Sequence, residues 1–267
     1  MEKVISQDGT PITFYRRGQG PPLVLVHGTG GTNPAMGWTA VLPTLEEQFT
    51  IYAIDRRGYG ESGDSPAYAV EREFEDIAAV VDAIGEPVNL LGHSFGALCV
   101  LEAALLTPNL RKLVLYEPAM PLPGVVLYPE GVLDRLQALL DAGDREGLLT
   151  VVYREIAMMS SHDFEQLRSS PTWPVRLARA HAVPRESRAE DSYRFDAHRF
   201  SNLQTPTLLL LGGDSPNILK LATETIASAL PNSQIAVMPG QQHIAMVTAP
   251  ELFATELIRF LVAKLPK

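Results

Sequence analysis

Short apolar runs alternate along the chain with longer stretches in which apolar positions recur every three or four residues. That is the pattern of strands alternating with helices in an α/β protein. Val4-Ile5-Ser6 and Ile12-Thr13-Phe14-Tyr15 flank the turn residues Asp8-Gly9-Thr10-Pro11 and predict an N-terminal β-hairpin. Leu23-Val24-Leu25-Val26 is continuously apolar, as expected of a strand covered on both faces. Thr50 to Ile54, Val88 to Leu91, Leu113 to Tyr116, Thr207 to Leu211 and Gln234 to Met238 predict further strands. Helical periodicity runs over Trp38 to Gln48, Val70 to Ile84, Ala97 to Leu106, Leu219 to Leu230 and Pro250 to Ala263. Gly85 stands where a helix C-terminus is expected, and Pro250 suits a first helical turn.

The pattern changes after Pro118. From there to about Asn202 no strand is predicted, only helical segments near Val132 to Asp141, Asp144 to Met159, Asp163 to Ser169 and Val175 to Ala182. Pro171, Pro174 and Pro184 are expected to break them. This gives a core of residues 1–117 and 203–267 and a helical insertion over 118–202, too long for an ordinary loop.

Composition narrows the function classes. The 267 residues are 46% hydrophobic, enough for one sizeable core. Twenty-two Lys and Arg against 31 Asp and Glu leave a net charge of -9. Nucleic-acid affinity comes mainly from basic groups on phosphates, so no nucleic-acid partner is expected. One cysteine, Cys99, permits no internal disulfide and points to a reducing compartment, the cytoplasm. The N-terminus lacks the apolar core of a signal peptide, and no apolar run is long enough to span a bilayer. A protein with no membrane partner is expected, with monomer and homodimer both open.

The strongest chemical motif is Gly92-His93-Ser94-Phe95-Gly96, between a predicted strand and a predicted helix. That context fits a G-x-S-x-G nucleophile elbow, in which a strained turn exposes the serine hydroxyl and leaves no room for neighbouring Cβ atoms. A serine hydroxyl needs a base at neutral pH. His243 follows the last predicted strand, where the base is expected. His162, His181 and His198 lie in the insertion, His27 supports a loop after a strand, and His93 within the elbow is expected to point away from the nucleophile. The base in turn needs a carboxylate to fix its tautomer. Asp214 follows the Leu208 to Leu211 run, and Glu117 directly follows the Leu113 to Tyr116 strand beside the nucleophile strand.

The chain resembles an α/β-hydrolase of the Ser-His-acid esterase, C–C hydrolase and dehalogenase group. Besides the elbow it carries Leu25-Val26-His27-Gly28-Thr29-Gly30-Gly31, Asp55-Arg56-Arg57-Gly58-Tyr59-Gly60-Glu61-Ser62 and Gly240-Gln241-Gln242-His243, each after a predicted strand. The resemblance implies the α/β-hydrolase fold: a mostly parallel eight-stranded sheet flanked by helices, with a helical cap inserted after the sixth strand. It also implies an oxyanion hole from the backbone N–H groups of Thr29 and Phe95. Members with the acid after the penultimate strand commonly read Gly-x-x-Asp, and from Gly212 that position holds Ser215, one residue beyond Asp214. Spacing therefore favours Glu117, and residue usage across the fold favours Asp214.

No cofactor is implied. Gly28-x-Gly30 starts like a dinucleotide fingerprint, but its third glycine position is Asn33, and there is no zinc-type Cys/His spacing. Cys99 is expected to be an inert core thiol. The insertion supplies apolar material in Met120, Leu122, Val125, Val126, Leu127, Tyr128, Met158, Met159 and Trp173, while Trp38, Tyr68 and Phe74 are expected to pack core or loops. It also holds ten arginines and no lysine, mostly expected on solvated faces, with a carboxylate-binding arginine conceivable among them. The expected activity is hydrolysis of a small carboxylic ester through an acyl-enzyme on Ser94. C–C hydrolysis, lactone hydrolysis, perhydrolysis and a slow-turnover small-molecule receptor are the alternatives.

Overall fold

The computed structural model of the protein describes residues 1–31 and 38–263, so Asn33 lies outside the described residues. β1 (Glu2–Ile5) and β2 (Pro11–Gly18) form the predicted hairpin, with Val4 opposite Ile12. β3 (Pro22–Val26), β4 (Thr50–Asp55), β5 (Val88–His93), β6 (Leu110–Tyr116), β7 (Thr207–Gly212) and β8 (Ser233–Met238) complete one sheet. Its order is β1-β2-β4-β3-β5-β6-β7-β8. Only the β1–β2 and β2–β4 pairings are antiparallel.

In chain order the helices of the first half are α1 (Leu42–Glu46), α2 (Val70–Ile84) and α3 (Phe95–Ala103). Between β6 and β7 come α4 (Val132–Asp141), α5 (Arg145–Val151), α6 (Ser161–Arg168), α7 (Trp173–Arg179) and α8 (Val183–Ser192). α9 (Asn217–Ala229), α10 (Ala245–Thr248) and α11 (Pro250–Val262) follow. α2 stops at Gly85, whose φ of 78° accepts the left-handed end that a side chain resists.

Strand periodicity of two sends alternate residues to opposite faces. Val24, Val26 and Leu90 join a core with Ile77, Val80 and Val81 of α2 and Ala222 and Ile226 of α9. Leu23, Leu25 and Leu91 join another with Leu42 and Leu45 of α1 and Phe253, Leu257 and Leu261 of α11. Burial on both faces is why the central strands read as unbroken apolar runs. Trp38 and Phe74 are buried in these cores as expected, and Cys99 is buried in α3. Lys112 of β6 donates from Nζ to the carbonyls of Phe260, Leu261 and Ala263, pairing a cation with the C-terminal end of α11.

The inserted helices have an apolar cluster of their own, built on Leu136, Leu148, Leu149, Tyr153, Phe164 and Trp173. The helical run over Val175 to Ala182 ends as expected, and Pro184 lies at the start of a helix that the sequence pattern does not predict. The proline occupies the first turn of α8, where its missing N–H costs nothing, and Pro174 does the same in α7. The single helix expected over Asp144 to Met159 is also revised. α5 widens into a π turn over Val152–Ile156, and Met158 at φ 51° ends the run. Among the described residues no helix is long and apolar enough to cross a membrane.

Candidate active site

Ser94 sits between the end of β5 and the start of α3 with φ 57° and ψ -125°, a conformation that L residues avoid. The surrounding glycines make that turn possible. A Cβ on Gly92 would lie 2.4 Å from the Gly96 carbonyl oxygen, and one on Gly96 would lie 2.4 Å from that of His27. The Ser94 N–H donates to the Tyr116 carbonyl at 2.9 Å, anchoring the turn to β6. Phe95 is the first residue of α3, where a helix leaves its N–H groups without an internal partner. Thr29 lines the same cavity as Ser94, and a Cβ on the preceding Gly28 would lie 2.9 Å from the Ser94 Cβ.

Parallel pairing of β5 with β6 sets His93 beside Tyr116, and pairing of β6 with β7 sets Tyr116 beside Leu210. Glu117, next along, therefore emerges at the C-terminal edge of the sheet. Its Oε2 accepts from His243 Nδ1 at 2.6 Å. Its Oε1 accepts from the Gly212 N–H at 2.7 Å and from the Ser215 hydroxyl at 2.5 Å. Glu117 is fully buried and holds a φ of 45°. Ser215, in the position where an aspartate would be expected after Gly212, thus serves as a hydrogen-bond donor to the glutamate. The structure does not bring Asp214 to the histidine: it is exposed, and its backbone N–H donates to the Gln241 carbonyl at 3.0 Å. With Nδ1 held by the carboxylate, Nε2 is the nitrogen of His243 left to face the cavity it lines with Ser94.

Two residues that carried no motif signal of this kind hold the histidine loop. Tyr116 donates from its hydroxyl to the Gln242 carbonyl and accepts from the Ala245 N–H at 2.9 Å. His93 does not point away from the site. Its ring lies 4.6 Å from that of His243, centroid to centroid, and its Nε2 donates to the His243 carbonyl at 2.8 Å. Burial, then the nearby charge of His243, hold its pKa well below the ordinary histidine value, so it is a neutral brace. Only the side-by-side register of β5 and β6 reveals these roles.

The loop carrying Thr29 is braced by a buried ionic network. Arg56 binds Glu73 of α2 through two bonds of 3.1 and 2.8 Å and Glu186 of α8 at 2.9 Å. It also donates to the Gly28 carbonyl at 3.2 Å. Tyr59 donates to Glu186 at 2.9 Å and accepts from the Gly30 N–H at 3.1 Å. His27 Nε2 accepts from the Arg56 N–H, leaving Nδ1 to donate to the Gly28 carbonyl at 2.8 Å. Burial, with Arg56 next, keeps that ring neutral. One arginine thus ties sheet, loop and inserted helices together.

Ser94, Thr29, His93 and His243 form the floor of a cavity of about 110 Å³. The inserted helices supply its roof, mostly apolar, through Leu127, Tyr128, Val152, Tyr153, Ile156, Met159 and Leu167. Of the apolar residues expected to line it, Leu127, Tyr128 and Met159 do so; Met120 is in the core, Trp173 packs within the insertion, and Val126 and Met158 are exposed. Arg176, Ser187 and Glu190 bring polar groups to the wall. Arg176 is buried, and its Nη1 donates to the Tyr153 hydroxyl at 2.9 Å. Among the described residues no cluster of His, Cys, Asp and Glu could hold a metal ion.

Comparison with known proteins shows which family shares this fold. The family model described as the alpha/beta hydrolase family matches residues 23–256. An alpha/beta hydrolase of Sphaerobacter thermophilus is similar in structure, with a TM-score of 0.84 and 35% identity over 98% of this chain and 100% of that one. N-formylmaleamate deformylase of Pseudomonas putida is 29% identical over 90% of this chain and 88% of its own length. (E)-2-((N-methylformamido)methylene)succinate hydrolase of Acinetobacter baylyi is 26% identical over 89% of each.

Proposed function

Since the chain belongs to the alpha/beta hydrolase family, we propose that it is a cofactor-independent serine hydrolase acting on a small carboxylic ester or related carbonyl compound. The observation that carries this reading is the line from Glu117 to His243, 2.6 Å at Nδ1, with that ring and the strained Ser94 sharing one cavity floor. Nothing structural requires a serine at φ 57°.

In this mechanism His243 Nε2 takes the Ser94 proton as Oγ attacks the carbonyl carbon. Glu117 stabilises the imidazolium that forms, while Gly212 and Ser215 hold the carboxylate in place. The N–H groups of Thr29 and Phe95 receive the oxyanion, a contribution of roughly 100- to 1,000-fold per donor in comparable sites. His243 then protonates the leaving group, and water, activated by the same ring, releases the acyl group. Substrate enters beneath the inserted helices, which act as a lid over residues 118–202.

Hydrolysis of a formamide or other C–N bond is a second reading, favoured by the names of the two curated relatives. The same serine, base and oxyanion donors serve both bonds, and leaving-group protonation weighs more for an amine. A panel of esters, lactones, formamides and vinylogous diketones tests the choice. A fluorophosphonate probe should label Ser94 in the wild type and leave Ser94→Ala unlabelled and without turnover. Full activity in a folded Ser94→Ala protein would refute the serine mechanism.

A further inference from the structure

Glu190 is a polar group of the cavity roof whose hydrogen bonding is incomplete among the described residues, as is that of His93 at Nδ1 on the floor. Glu190 lies on α8, is 4% exposed, and lines the same cavity as Ser94 and His243. Its Oε2 accepts from the Tyr128 hydroxyl. Its Oε1 is buried and has no hydrogen-bond partner among the described residues. A buried polar atom left unpaired costs on the order of 1–3 kcal/mol, so an orphan on an active-site wall points to a partner that arrives with the ligand.

The kind of partner follows from the state of the carboxyl. Burial raises its pKa to about 8, only partly opposed by the Tyr128 hydrogen bond. The group is therefore protonated at neutral pH. Oε2 already accepts from Tyr128, which leaves the proton to Oε1, and a carboxylic O–H needs an acceptor. Ser187, one turn earlier on the same face of α8, also lines the cavity and keeps that stretch of wall polar. The roof is otherwise largely apolar, so a directed donor there selects for an acceptor oxygen at its own position.

We infer that Glu190 is a specificity-determining residue: its Oε1–H donates to an acceptor oxygen, ketone, amide or carboxylate, on the part of the substrate remote from the bond that Ser94 attacks. The inference rests on the serine-hydrolase reading for the bond that is cleaved, but not for the binding of the remote oxygen. The favoured substrates are then bifunctional, with a scissile carbonyl at the floor and a second oxygen under the lid.

The test uses methyl esters of small oxo-acids with the ketone at C3, C4, C5 or C6, each against the isostere in which a branched methyl replaces the ketone oxygen. Two ratios are read for each pair: kcat/KM with the wild-type lid, and Kd in a Ser94→Ala background, which does not depend on the serine's chemistry. The wild-type lid should favour the oxo-ester of at least one chain length by tenfold or more in both ratios. Glu190→Gln keeps an N–H donor at the same place and should keep the preference. Glu190→Leu should bring it close to one. Absence of any preference at all four chain lengths, or a preference that survives Glu190→Leu, overturns the inference. A Kd preference without turnover would sustain it and count instead against the serine mechanism.

Discussion

Glu117 meets His243 across the C-terminal edge of the sheet, Oε2 to Nδ1 at 2.6 Å, from the strand beside the one that carries Ser94. Two donors on the β7 side, the Gly212 N–H and the Ser215 hydroxyl, occupy the other carboxylate oxygen. These hydrogen bonds fix the carboxylate's orientation toward the ring. That arrangement separates two carboxylates that lie near the ends of neighbouring strands.

Glu117→Gln should lower kcat by about 10,000-fold, because an amide in this place favours the wrong tautomer of the base. Asp214→Asn, at an exposed position, should change kcat by less than about twofold. Steady-state kinetics on whichever panel substrate turns over fastest decides it. An active Glu117→Gln protein together with an inactive Asp214→Asn protein would reverse the assignment.

The strands, the elbow turn and the place of His243 were legible because each leaves a local trace: an apolar run, a glycine pair, a histidine after a strand. The departure at Ser215 was legible too, as a one-residue mismatch, and it pointed to Glu117 without excluding Asp214. His93 and Tyr116 were not legible as supports for the histidine loop. Their roles depend on which strands are neighbours and in what register, which no local pattern encodes. The helix α8, with Pro184 in its first turn, was not legible for a related reason. A proline reads as a break or as a first helical turn depending on the residues that follow it, and the polar Arg185-Glu186-Ser187-Arg188 stretch carries weak apolar periodicity. Glu186 lies in that stretch and turns inward only because Arg56 and Tyr59 are there to meet it.

That buried network leads to a stability prediction. Arg56→Met removes the cation shared by Glu73 and Glu186, both of which stay buried. Breaking such a pair from one side costs about 3–5 kcal/mol, since the remaining charges lose their partner without regaining water. Urea unfolding should show a loss of that size. Activity should fall as well, because Arg56 also holds the Gly28 carbonyl in the loop that presents Thr29. A loss below about 1 kcal/mol, within the range of an ordinary surface change, would show that the network is not what joins α8 to the core.

Glu190 should leave a mark on the pH dependence of stability. Its carboxyl is neutral in the fold, with a pKa pushed up by burial to about 8, and is an ordinary carboxyl near 4.5 when unfolded. The groups around it are Tyr128 from the start of the insertion, Arg56 from the core, and Glu186 and Asp191 on its own helix; the first two lower the pKa and the two acids raise it. The folded state binds the extra proton between these two values, so its contribution is complete below the unfolded pKa and is lost as pH rises through the folded one. The slope across that window is roughly 1.4 kcal/mol per pH unit at its steepest. Glu190→Gln carries no such proton, while the other titrating groups are common to both proteins. The stability of the wild type relative to Glu190→Gln should therefore fall steadily from pH 5 to pH 8 and level off above that. Urea titrations of both proteins at half-unit intervals measure the difference directly, and a constant gap across the range would mean that Glu190 is already ionised in the folded state at pH 5.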